Sequence, residues 1–122
     1  MYVIVDTSSM LFAMGGRKSA LDSVALKHPG KRILISEGVV RELTGIGSGN
    51  GKRAATARAC LGILKLKNVE VDKNKGNVDR WILSRSVEKD VYCVITNDTE
   101  LFNKLRSKHI AVFKLSRNGI PK

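Results

Sequence analysis

Four acidic side chains fall where they could share one task. Asp6 ends the apolar run Val3-Ile4-Val5, Asp98 follows VYCVIT, Glu42 lies in VVREL and Asp79 in GNVDRWIL. The chain has only eleven Asp and Glu among its 122 residues, so their placement is informative. Carboxylates gathered in one cleft repel by about 4 kcal/mol per close pair at an effective dielectric of roughly 20. A divalent cation relieves that repulsion, and ligands that are all oxygen select a hard ion, Mg²⁺ or Mn²⁺, over zinc. His28 and His109 lie outside these segments, and no Cys/His spacing suggests a zinc site. Such a cation lowers the pKa of water and stabilises charge on a phosphodiester, which is nuclease chemistry.

Each acid also has an ordinary structural use. Asp6, ahead of Thr7-Ser8-Ser9, is placed to cap a helix. Asn97-Asp98-Thr99-Glu100 resembles a capping box with Asn97 as the cap and Asp98 as a first-turn acid. Asp79 stands near a helix start, where the helix dipole favours an acid, and Glu42 suits a solvated helix face. The argument for a site is the joint pattern.

The elements that must position these residues are short apolar runs separated by helical stretches. Val3–Val5, Ile33–Ile35, Val69–Val71, Val91–Ile95 and Ala111–Phe113 read as strands. Continuous apolar strands between helices predict a parallel sheet covered on both faces, an α/β sandwich. Ligands in such sheets bind at the carboxyl ends of the strands, where the strand order reverses. If the first and fourth strands are neighbours, Asp6 and Asp98 face each other there, and the helices carrying Glu42 and Asp79 leave the same region. The glycine-rich Gly45–Gly51 reads as a flexible loop. It is not a P-loop, because Gly45 falls one place early, Arg53 replaces Ser/Thr and a helix precedes it. Ser8 and Ser9 lack a nucleophile-elbow motif, and Trp81, Tyr92 and Phe102 read as core residues.

Charge narrows the partner. Twenty-two Lys and Arg give a net charge of +11 and a pI near 10.1. From Leu101 to Lys122 there are six basic residues and no acidic one. Such a field attracts polyanions, so nucleic acid is the first partner to expect. No basic amphipathic helix suits an anionic membrane surface, and no apolar run approaches the roughly 20 residues that span a bilayer. The start, MYVIVDTSSM, does not resemble a secretory signal. Two cysteines, Cys60 and Cys93, fit reduced thiols in a cytoplasmic protein better than a disulfide framework. The length suits one domain over residues 1–122.

The four acidic segments resemble the PIN-domain family of small metal-dependent ribonucleases. VIVDTSSML resembles its first motif, Glu42 its helix glutamate, Asp79 its third acid, and Asp98 in VITNDTELFNKL its strand followed by T-x-D. The resemblance runs from residue 2 to about residue 113. It implies a three-layer α/β/α sandwich with a five-stranded parallel sheet, acting as one nuclease domain. It implies that Asp6, Glu42, Asp79 and Asp98 bind one or two Mg²⁺ or Mn²⁺ ions, and that water attacks the RNA phosphodiester with no covalent enzyme intermediate. Ser8, Thr96 and Asn97 would support the acids; Asn97 stands where some toxin members carry a further acid, which puts a second metal in question. Arg17, Lys18, Lys52, Arg53, Arg80, Lys104 and Arg117 are candidates to hold RNA. Within the family, TNDTELFNKLRSKHIAVFKLSR resembles most the archaeal subgroup associated with ribosomal RNA processing, with VapC-type toxins next. The expectation is an endoribonuclease of ribosomal RNA processing; the alternatives are a toxin of a toxin–antitoxin pair and a non-catalytic RNA-binding module. Expected partners are RNA, a second copy in a homodimer, and an antitoxin or a ribosome-assembly factor, with no membrane.

Overall fold

Buried parallel strands need apolar side chains on both faces, and the β-branched runs of this sequence supply them. The computed structural model describes residues 1–14, 20–67, 69–74 and 76–115. Its strands are β1 (Tyr2–Val5), β2 (Arg32–Ser36), β3 (Glu70–Asp72), β4 (Val91–Ile95) and β5 (Val112–Phe113). They form one sheet in the order β3-β2-β1-β4-β5, with every pair parallel. The helices are α1 (Thr7–Met14), α2 (Ala20–Lys27), α3 (Glu37–Gly47), α4 (Lys52–Lys67), α5 (Val78–Arg85) and α6 (Thr99–Ser107).

The chain steps outward from β1 through β2 to β3, then returns to the other side of β1 for β4 and β5. Right-handed crossovers therefore put α1–α4 on one face and α5 and α6 on the other, completing the expected α/β/α sandwich. Val3, Ile4, Val5, Leu34, Ile35, Cys93, Val94 and Ile95 are wholly buried between the layers. Val39, Leu43, Ala57 and Cys60 close one side of that core, and Ile82, Leu101 and Leu105 close the other. The strand order reverses between β1 and β4, which are direct neighbours with Val5 opposite Ile95.

Two readings of the sequence away from the acidic segments need correction. The Gly45–Gly51 segment is not all loop, because α3 continues through Gly45, Ile46 and Gly47. The last carbonyls of α3 find donors: Arg58 Nη1 donates to Gly47 O at 2.7 Å and the Ser48 N–H to Thr44 O at 3.1 Å. Gly47 allows this approach, since a Cβ there would stand 3.1 Å from Arg58 Cγ. Tyr92 is not a core residue either; it is 43% exposed at the open start of β4, with Lys31 Nζ 4.6 Å from its ring centroid.

Helix starts are fixed by polar side chains at the carboxyl edge of the sheet. Ser36 Oγ accepts from the Val39 N–H at 3.3 Å to begin α3, and Asn77 Oδ1 accepts from the Arg80 N–H at 3.1 Å to begin α5. Gly38 lets these two helices approach, because a Cβ there would lie 2.6 Å from Val78 Cγ2. Among the described residues no helix is long and apolar enough to cross a membrane. Both cysteines are buried free thiols.

Candidate active site

Asp6 is the first residue after β1, and its side chain is almost fully buried, with the residue 4% exposed. Oδ1 accepts from Ser8 Oγ at 2.7 Å and from the Ser9 N–H at 3.1 Å; Oδ2 accepts from Thr96 Oγ1 at 2.5 Å. The Ser9 contact is the i to i+3 bond of a helix N-cap, so Asp6 also starts α1. Burial raises its pKa above the usual carboxylate range, these three hydrogen bonds oppose the shift, and the charge of Asp79 adds to it.

Across the strand boundary, Thr96 is wholly buried after β4. Its hydroxyl donates to Asp6 and accepts from the Asp98 N–H at 3.1 Å. Ser8 has the matching role, donating to Asp6 and accepting from the Asn97 N–H at 3.0 Å. The two hydroxyl oxygens lie 3.5 Å apart, and each donates its proton to Asp6. Asp98 Oδ1 accepts from the Leu101 N–H at 2.9 Å. Asp98, rather than Asn97, is thus the cap of α6.

The Asn97 side chain turns away from the acids to hold the chain together. Its Oδ1 accepts from Ser9 Oγ at 2.7 Å and from the Leu115 N–H at 3.2 Å, while Nδ2 donates to Leu115 O at 3.0 Å. The amide replaces a rung of backbone pairing and fixes the segment after β5 beside the site. It takes this part instead of the cap because its two-way donor and acceptor pattern matches a peptide group, which a carboxylate cannot do.

Asp79 lies in the first turn of α5. Partial burial raises its pKa, Asp98 and Glu100 raise it further, and Lys104 opposes them. The structure therefore brings Asp6, Asp79 and Asp98 into one electrostatic neighbourhood. Glu100, in the first turn of α6, belongs to it although the sequence reading passed it over. Only its spacing two residues after Asp98 at a helix start signalled it. Glu42 is exposed on α3, one helical turn beyond Gly38.

The remaining candidates are spread more widely. Lys52 and Arg53 are exposed in the first turn of α4, and Arg80 is exposed next to Asp79. Lys104 Nζ pairs with Glu100 at 3.3 Å. Arg17, Lys18 and Arg117 lie outside the described residues.

The donor set is all oxygen, with the charge of Asp79 acting on Asp6 and that of Asp98 on Asp79, which fits a hard divalent cation in chemistry. Among the described residues, no three His, Cys, Asp or Glu side chains stand close enough together to enclose a metal ion.

The family model described as PIN like domain matches residues 3–118. The chain belongs to the PIN-like domain family. Solved structures repeat its fold. The PIN domain endonuclease Utp24 superposes on this PIN-like domain with a TM-score of 0.78 at 23% identity, covering 96% of this chain and 86% of that one. A domain of a functionally unknown protein from Methanocaldococcus jannaschii gives 0.64 at 17% identity, covering 94% and 91%. A chain of VapBC2 from Rickettsia felis, solved bound to a DNA fragment from its promoter, gives 0.67 at 17% identity, covering 95% and 100%. No curated protein matches the PIN-like domain in sequence.

Proposed function

We propose that this PIN-like domain is a metal-dependent endoribonuclease that hydrolyses RNA phosphodiesters at the carboxyl edge of its sheet. The observation that carries the reading is the coupling of Asp6, Asp79 and Asp98 at the strand-order reversal, in a chain of net charge +11. Asp6, Asp79 and Asp98 would hold Mg²⁺ or Mn²⁺, with Glu42 supplied from α3. When bound, the ion would supply a lowered pKa for water and neutralisation of charge on the phosphodiester. The chain contributes position. Asp6 is held by three donors and cannot swing, and Thr96 fixes Asp6 and the Asp98 backbone from one oxygen. Ser8 supports Asp6 from the α1 side and ties it to the Asn97 N–H next to Asp98. Lys104 and Arg80 flank the acids and would offset their repulsion of the RNA backbone.

The resemblance of TNDTELFNKLRSKHIAVFKLSR to the subgroup associated with ribosomal RNA processing makes structured ribosomal RNA the first substrate class to test. The decisive experiment is cleavage of structured and unstructured RNA with Mg²⁺, Mn²⁺ or EDTA, comparing the wild type with Asp98→Asn. Cutting that needs the metal and disappears in the variant supports the proposal. Equal cutting by both proteins, or cutting in EDTA, refutes it. Salt-sensitive RNA binding without any cutting would instead identify a binding module on the same fold.

A further inference from the structure

A cationic feature stands beside the acids without belonging to them. Lys114 directly follows β5, and its Nζ donates to Thr99 Oγ1 at 3.3 Å, one residue from Asp98. The same ammonium lies 4.9 Å from the ring centroid of Phe102, and the Arg106 guanidinium carbon lies 5.8 Å from it. Phe102 is half-buried on α6. Neither Lys114 nor Arg106 takes part in an ion pair among the described residues, whereas Lys104 on the same helix is paired with Glu100.

These contacts restrain Lys114 from two sides and lay Arg106 against the same ring. A cation over an aromatic face is attracted by the ring quadrupole. Residue 114 is held from its other side as well, because Asn97 pins both backbone groups of Leu115. Cations ordered before binding lose less conformational freedom when an anion arrives. With both cations over the ring, Phe102 serves as their support rather than as a stacking platform for a base.

We propose that Lys114, held between Phe102 and Thr99, forms a phosphate-binding subsite that seats an RNA backbone phosphate beside the acidic cluster, with Arg106 a second cation further along α6. The proposal rests on the ribonuclease reading above and adds the path of the strand, which leaves the acids over the α6–β5 flank.

The test is binding of a short single-stranded RNA in EDTA, followed by fluorescence anisotropy across a salt series. Lys114→Gln should weaken binding about 5-fold at low salt and flatten the plot of log affinity against log salt by about 0.7, the loss of one phosphate contact. Lys114→Arg should restore the wild-type slope. Lys89→Gln, in the turn before β4 at the opposite edge of the sheet, should leave it unchanged. Should Lys114→Gln unfold, Arg106→Gln on exposed α6 makes the same comparison. An unchanged slope in a folded variant, with the wild type binding RNA, overturns the subsite alone. A wild type that binds no RNA in EDTA overturns the subsite, while the ribonuclease reading is decided by the cleavage assay.

Discussion

Asp6 and Thr96, 90 residues apart in the chain, are joined by a 2.5 Å hydrogen bond at the boundary of β1 and β4. Because the threonine proton goes to Asp6, its oxygen is left to accept the Asp98 N–H. One hydroxyl thereby couples two helix caps from separate crossovers. The caps are the same acids that would do the chemistry.

Replacing that hydroxyl by a methyl group tests the coupling. Thr96→Val keeps the shape but removes a donor to a buried carboxylate and an acceptor for a backbone N–H. It should lower stability by about 1–3 kcal/mol, the usual cost of leaving buried polar groups unpaired. Thr96→Ser should recover most of the loss. Urea unfolding of the three proteins measures both differences, and a Thr96→Val protein as stable as wild type would contradict the role assigned to the hydroxyl.

Asp98 separates folding from chemistry. Asn caps a helix about as well as Asp does, whereas Ala costs roughly 1 kcal/mol at such a position. Asp98→Asn should therefore unfold within about 0.5 kcal/mol of wild type, with Asp98→Ala lower by about 1 kcal/mol. RNA cleavage should be lost in both. Thermal unfolding and cleavage assays run on the same preparations would show the two properties parting.

Gly38 sets the distance between α3 and α5, and through it the place of Asp79. A methyl group there would stand 2.6 Å from Val78 Cγ2 and 3.0 Å from Asn74 Nδ2. Valine is stiff about its first side-chain torsion, so the helices must separate rather than the side chain turn. Gly38→Ala should cost about 1–3 kcal/mol, as overpacking does. Gly45→Ala is the control, since a Cβ at Gly45 meets nothing within 4 Å. Chemical denaturation of both variants provides the comparison.

His28 gives stability a pH dependence that the acids do not share. It is buried, its ring lies 5.3 Å from that of Tyr92 and 5.7 Å from that of Phe113, and its Nε2 has no hydrogen-bond partner among the described residues. Burial lowers its pKa below 6.5, with the charges of Lys27 and Lys31 adding to the shift. The unfolded chain then binds the proton more readily than the folded one. Its contribution is complete above the unfolded value, falls as pH drops from there toward the folded value, and is flat below that. His28→Phe should remove this loss. Unfolding free energies of both proteins at about pH 8 and about pH 5 should converge for the variant and separate for wild type.

Much of this arrangement was legible in the residues. Val91–Ile95 reads as a strand with the bounds it has, because an apolar run dominated by β-branched and aromatic residues has few other uses. The meeting of Asp6 and Asp98 follows once parallel strands are inferred, since parallel order puts both ends on one edge. The choice of cap did not follow, because Asn97 and Asp98 suit an N-cap equally well by type. Only the position of Leu115, 18 residues away, draws the amide elsewhere. The helical end of α3 was hidden for a similar reason. Glycines read as a break until Arg58, 11 residues on from Gly47, is seen to satisfy the carbonyls they carry. Lys114 drew no notice among 22 basic residues, since its distinction is the ring beneath it.

The double duty proposed for the two aspartates bears on how such a protein could change over generations. At position 98 selection for folding alone accepts Asp, Asn, Ser or Thr, so one base change to Asn would silence the chemistry and leave a sound scaffold. At position 6 the buried side chain must accept three hydrogen bonds, two through one oxygen, and an amide offers only one accepting oxygen. Loss of the first acid would damage the scaffold together with the reaction. A lineage that turned from cutting RNA to carrying it would therefore be expected to lose Asp98 first and to keep Asp6 as a relic.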